Sequence, residues 1–253
     1  MPNVSFDNTI VYYEKYGEGI PIIFIHPPGL GGVVFDHQLP LANYYQLIIP
    51  DLSGHGYSVG PLADDPIKQY AKELKTIIIH ENLSKVVLCA YSAGGTIAQY
   101  FVREYPELVE ALIISGAYPK VSTWSLDTVY RLGMETLKLS PKFLAKRLAA
   151  SNSTNRSDKK QLLQYMKKSS VNHWYAYYLT TYYYDVRKFI DNISCPSLFI
   201  YGNETDFTHD HQAYYYEQEH IQIAYVEKAA HQIPTKKYIA FNHLVRQFID
   251  RVV

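Results

Sequence analysis

Short apolar runs set off by Gly, Pro or Asp recur along the chain, at Pro21–Ile25, Gln46–Pro50, Lys85–Ala90, Ala111–Ser115, Ser197–Tyr201 and Ile221–Val226. Each is of strand length and mostly apolar, the pattern of a strand covered on both faces. Between them, Pro66–His80 and Ser92–Tyr105 carry apolar residues three and four positions apart, which predicts helices. Strands that alternate with helices give an α/β fold with a mostly parallel sheet. Ahead of the first buried run, Asn3–Phe6 and Thr9–Lys15 alternate apolar with polar and meet at Asp7-Asn8, which predicts an antiparallel hairpin.

The rhythm stops from about Ala117 to Asn192. No strand-like run occurs there, and the pattern is helical with breaks at Pro141 and Ser151–Ser157. The expected organisation is a core in two parts, 1–117 and 193–253, with a helical insertion over 118–192 folded across the carboxyl edge of the sheet. A chain of 253 residues suits one large domain carrying such a cap.

Composition removes several classes of function. Lys plus Arg equals Asp plus Glu at 24 each, whereas a general nucleic-acid binder needs a net basic footprint. Two Cys without paired spacing provide neither a disulfide framework nor a thiolate zinc site. The longest apolar stretches, Ile22–Ile25 and Ala111–Ile114, are far short of a membrane span. The opening residues lack the basic start and apolar run of a signal peptide, so the expected location is cytoplasmic, with no membrane partner.

The strongest local signal is the segment from Lys85 to Tyr100. An apolar strand runs into Ser92, which is flanked by Ala90, Ala93, Gly94 and Gly95, and a helix follows. A nucleophile on a sharp strand-to-helix turn sits in strained backbone, where bulky residues two positions before or after would collide. The turn also brings the helix amino end and the Ala93 N–H to whatever bonds to Ser92. A plain helix-capping serine is the alternative for this segment alone.

Other motifs follow other predicted strands: His26-Pro-Pro-Gly-Leu-Gly-Gly, Asp51-Leu-Ser-Gly-His-Gly-Tyr-Ser58, Tyr201-Gly-Asn-Glu-Thr-Asp206 and Ala229-Ala-His231-Gln-Ile-Pro. With these in order, the chain resembles the α/β-hydrolase superfamily over essentially its whole length except the insertion. The order Ser…Asp…His is the one that family uses.

The resemblance implies an eight-stranded, mostly parallel sheet and a catalytic triad. Ser92 would be the nucleophile and His231 the general base and later acid, with Asp206 orienting the imidazole. Three departures stand out. Ala90 replaces the commoner Gly, though it is still small. The acid usually lies three residues after the strand-end Gly, where this chain has Thr205; Asp206 is one further on, and Glu204 is the alternative. The residue that normally gives the second oxyanion N–H is Pro28, which has none. Gly29 is the nearest replacement, joining Ala93 N–H, and Leu30 stands behind it. Dehalogenase and epoxide-hydrolase chemistry would need a carboxylate where Ser92 stands. The arginine that proline iminopeptidases carry in the Asp-x-x-Gly-x-Gly motif is Ser53 here.

Between Arg131 and Lys168 ten basic residues face only Glu135 and Asp158. Such a run is a solvated helix face or a device that steers anionic substrates. Further on, Tyr175, Tyr178 and Tyr182 share one helical face, and Trp174, Tyr177 and Tyr184 another. One face packs on the core. Tyr178 and Tyr182, with Tyr91 beside the nucleophile, are expected to line the cleft and favour aromatic or medium acyl groups. His209-Asp-His211 has no further ligand cluster at metal spacing, and His26 and His55 are expected to be structural. The expected activity is cofactor-free and metal-free serine hydrolysis of an ester-like bond in a small, anionic or aromatic molecule, by a monomer or homodimer. Two alternatives are C–C, lactone or amide hydrolysis of an anionic aryl substrate, and slow-turnover ligand sensing motivated by Pro28.

Overall fold

The computed structural model describes residues 2–253; Met1, the first position of the expected 1–117 segment, lies outside the described residues. Eight strands form one sheet: β1 (Asn3–Phe6), β2 (Thr9–Tyr16), β3 (Pro21–Ile25), β4 (Gln46–Pro50), β5 (Val86–Tyr91), β6 (Val109–Ser115), β7 (Ser197–Gly202) and β8 (Ile221–Val226). Their spatial order is β1-β2-β4-β3-β5-β6-β7-β8. β1 pairs with β2, and β2 with β4, antiparallel; every later pairing is parallel. The α/β-hydrolase fold expected from the motifs is the fold of the chain, and three apolar runs match their strands to the residue.

Alternation along the buried strands divides the core. Ile23, Ile25, Leu88 and Ala90 face α1 (Pro66–His80) and α2 (Gly94–Glu104). Ile22, Phe24, Val87 and Cys89 pack in a second layer with Phe241, Val245, Phe248 and Ile249 of the C-terminal helix. Successive side chains point to opposite faces, so strands covered on both sides must be apolar at every position. α1 begins where Asp65 accepts from Lys68 N–H at 3.1 Å and Pro66 occupies the first turn, both favourable helix starts.

Between β6 and β7 the chain forms α3 (Trp124–Leu139), α4 (Pro141–Ser151), α5 (Arg156–Met166) and α6 (Val171–Tyr183), followed by a 3-10 segment at Arg187–Asn192. After β8 come α7 (Ile233–Lys236) and α8 (Tyr238–Val252). Among the described residues no helix is long and apolar enough to cross a membrane.

Polar contacts from α5 and α6 tie the insertion to the carboxyl edge of the sheet. Tyr165 of α5 donates to Asp51 at 2.7 Å, and Tyr177 of α6 donates to the His26 carbonyl at 2.9 Å. Ser170 N–H donates to Gly54 O at 2.7 Å, at the start of α6. These contacts land on the loops after β3 and β4, beside the point where the chain crosses from β4 over β3 to β5. Ligand crevices of open parallel sheets lie at such a switch in strand order.

Candidate active site

Ser92 has φ of +54° between the end of β5 and α2. That left-handed conformation costs a non-glycine residue about 1–2 kcal/mol, and local bonds hold it. Ser92 N–H donates to Ser115 O and Gly95 N–H to Ser92 O, both at 2.8 Å. The requirement for small neighbours is visible in the packing. A Cβ on Gly94 would stand 2.3 Å from Ile25 O, and one on Gly95 would stand 2.6 Å from the Ile114 side chain.

The Ser92 hydroxyl does not cap the helix. It lies 2.8 Å from His231 Nε2, in the loop between β8 and α7. Burial pushes the His231 imidazole down to about 4, against the opposing pull of the Asp206 carboxylate. At neutral pH the ring is therefore uncharged, with Nε2 free to accept the serine proton.

Asp206 belongs to the same cluster but reaches the imidazole through an intermediary. Its Oδ1 accepts from Thr208 N–H at 2.6 Å and from the Thr208 hydroxyl at 2.7 Å, and Thr208 Oγ1 lies 3.4 Å from His231 Nδ1. With Nε2 facing the serine, Nδ1 carries the proton, so the chain runs from Nδ1–H to the threonine hydroxyl to the carboxylate. Sequence reasoning missed Thr208, because the one-residue displacement of Asp206 offered no sign of what would fill the gap. Glu204 is exposed, with Lys228 and Lys237 in the same surface hollow, away from the cavity that His231 lines.

Ser92 and His231 open into a cavity of about 300 Å³. Its wall includes Pro27, Pro28 and Leu30 from the loop after β3, Tyr91 and Ala93 beside the serine, and Phe207. The inserted helices contribute Leu126, Val129, Tyr130, Arg147, Asn152 and Tyr178. Phe207 stands 4.4 Å from the His231 ring, centroid to centroid.

Of the expected lining tyrosines, Tyr91 and Tyr178 line the cavity, and the Tyr91 hydroxyl donates to Asn152 at 3.0 Å. Tyr182 does not: it sits between α3 and α6, where its hydroxyl meets Asp127 and Arg131 at 2.5 and 2.8 Å. One further helical turn carries it past the cavity to the outer edge. Trp174 and Tyr177 form the face packed on the core, both essentially buried. Gly29, with φ of +81°, lies behind the wall formed by its neighbours and against the Trp174 ring, 2.1 Å from where a Cβ would be.

The remaining motif residues hold loops. His26 Nδ1–H donates to Pro27 O at 2.9 Å and Nε2 accepts from Leu52 N–H at 3.0 Å, while burial pushes the ring down to about 4. Asp51 accepts from Gly32 N–H, Tyr57 N–H and Tyr165, which partly offset the upward push of burial on its carboxyl. His211 is buried, 3.3 Å from the Ser122 hydroxyl. Among the described residues, no three His, Cys, Asp or Glu side chains cluster closely enough to hold a metal.

Fold and residue constellation together define an α/β hydrolase. Residues 20–231 match the model of the alpha/beta hydrolase fold family, and the chain belongs to that family. An uncharacterized protein of Mycobacterium bovis is 32% identical over 120 residues, 46% of this chain and 35% of the relative. A non-heme haloperoxidase of Rhodococcus erythropolis is 32% identical over 123 residues, 47% of this chain and 45% of the relative. The matched stretch thus spans less than half of either curated relative. Among solved structures, a malate-bound thermophilic esterase from Thermogutta terrifontis aligns with a TM-score of 0.85 at 20% identity, covering 100% of this chain and 99% of that one. A bromoperoxidase from Bacillus anthracis aligns with a TM-score of 0.86 at 18% identity, covering 96% of each. At these identities the likeness is one of fold.

Proposed function

We propose that the protein is a serine hydrolase that cleaves an ester-like bond in a small molecule. The observation that carries this reading is the 2.8 Å contact between Ser92 Oγ and a neutral His231 Nε2 at a cavity wall. Esterases share the fold, which supports the reading without identifying a substrate.

In the proposed cycle Ser92 Oγ attacks the carbonyl carbon while its proton passes to His231 Nε2. The tetrahedral oxyanion is held by Ala93 N–H at the head of α2, and Pro28, which lines the cavity, offers no second N–H. Collapse breaks the bond to the leaving oxygen, which takes the proton from His231. Water then attacks the acyl-serine, giving its proton to His231, and the acid leaves as Ser92 is re-protonated. Asp206, through Thr208, holds the imidazole in the tautomer this requires. Residues 118–192 act as the cap that encloses the substrate, and the cycle calls on groups of the protein and water.

The test is steady-state hydrolysis of p-nitrophenyl acetate and butyrate by wild type, Ser92→Ala and His231→Asn. Losses of about 10⁴-fold or more in kcat are expected for both variants. Wild-type activity in Ser92→Ala would remove the reading.

A further inference from the structure

The cavity beside Ser92 has one permanent charge in its wall, and that charge has no partner. Arg147 of α4, an exposed residue, lines the cavity, no Asp or Glu does, and among the described residues the guanidinium makes neither ion pair nor hydrogen bond. Six other cations of the insertion, Lys142, Lys146, Arg156, Lys159, Lys160 and Lys167, are exposed and line no part of this cavity, and three more are occupied. Arg131 is bound by Asp127, Lys138 by Glu135, and Lys168 lies over the rings of Tyr57 and Tyr165. A guanidinium presents its donors as a rigid fork that matches the two oxygens of a carboxylate. The surrounding wall at Leu126, Val129 and Phe207 is apolar, suited to the carbon chain between a reacting carbonyl and a charged end. The basic excess of residues 131–168 adds a longer-range attraction for anions.

We propose that the substrate is an ester carrying a carboxylate, which Arg147 binds while the ester carbonyl lies at Ser92. The inference rests on the serine-hydrolase reading and narrows it to anionic esters.

Mono-p-nitrophenyl glutarate and p-nitrophenyl valerate share a five-carbon acyl chain and differ by a terminal carboxylate against a methyl group. Wild type should favour the glutarate by tenfold or more in kcat/KM. Arg147→Gln should lower that preference by tenfold or more, and Arg147→Lys, which keeps the charge but not the fork, should fall between wild type and Arg147→Gln; thermal melts confirm folding of each variant. A wild-type preference at or below one, or an unchanged preference in Arg147→Gln, overturns the proposal. If wild type cleaves neither ester, the hydrolase reading fails and the anion site is read by calorimetry with monomethyl glutarate. Binding at least tenfold weaker to Arg147→Gln than to wild type supports it, and equal or absent binding overturns it.

Discussion

His231 and Ser92 stand 139 positions apart in the chain and meet at 2.8 Å across the ends of two intervening strands, β6 and β7. The imidazole crosses that distance over Gly116, at the end of β6. A Cβ there would lie 2.7 Å from His231 Cε1. The missing side chain is thus as much part of the site's geometry as the residues that are present.

Thr208 makes the hydrogen bond that reaches His231 Nδ1, and it passes that contact to Asp206. Thr208→Val keeps the shape and removes the hydroxyl. It should lower kcat for a neutral ester by about tenfold or more, the order of a lost charge-assisted hydrogen bond, with little change in KM. Thr208→Ser should restore most of kcat. Equal losses in both variants, or a change confined to KM, would show that Thr208 only fills space.

The pH profile follows from the state of His231. In the proposed cycle His231 works as a base only while neutral, and burial holds its folded value near 4 against an ordinary 6.5. Activity on a neutral ester should therefore be flat from pH 7 to about 5 and half-lost near 4. Short assays under conditions where the protein remains folded check this. A midpoint near 6.5 would mean that the imidazole is solvated.

Glu73 supplies a stability test away from the chemistry. Its carboxylate, buried beneath the loop after β4, accepts from Ser53 N–H at 2.9 Å, and burial raises it to about 7 from 4.5. Between those values the folded state binds a proton that the unfolded chain does not. Stability from this group is therefore present below pH 4.5 and lost as pH rises to 7. Glu73→Gln keeps an acceptor for Ser53 and removes the titration. The variant should gain on wild type between pH 4.5 and 7, by on the order of 3 kcal/mol at most, read from melts or urea unfolding. A difference constant with pH would contradict the assignment.

Much of this fold is legible in the sequence because strands buried on both faces must be apolar at every position, and Gly, Pro and Asp mark their ends. Ser92, the histidines at 26 and 231, and the glycines at 94 and 95 are readable for a similar reason: each satisfies a local steric or chemical demand. Thr208, Gly116, Asn152 and Arg147 are not. The first three matter through neighbours 23, 115 and 61 positions away along the chain, and Arg147 through a cavity wall it shares with Ser92, and no local pattern records those distances. Tyr182 shows the same limit on a helix. Its spacing from Tyr178 is right for one face, yet one turn of rise separates the cavity wall from the protein surface.

The most direct test of the central claim is intact mass after exposure to an active-site fluorophosphonate, comparing wild type with Ser92→Ala. The expected result is one adduct on wild type and none on the variant, which would establish Ser92 as an activated nucleophile. No adduct on folded wild type, or the same adduct on Ser92→Ala, would contradict it.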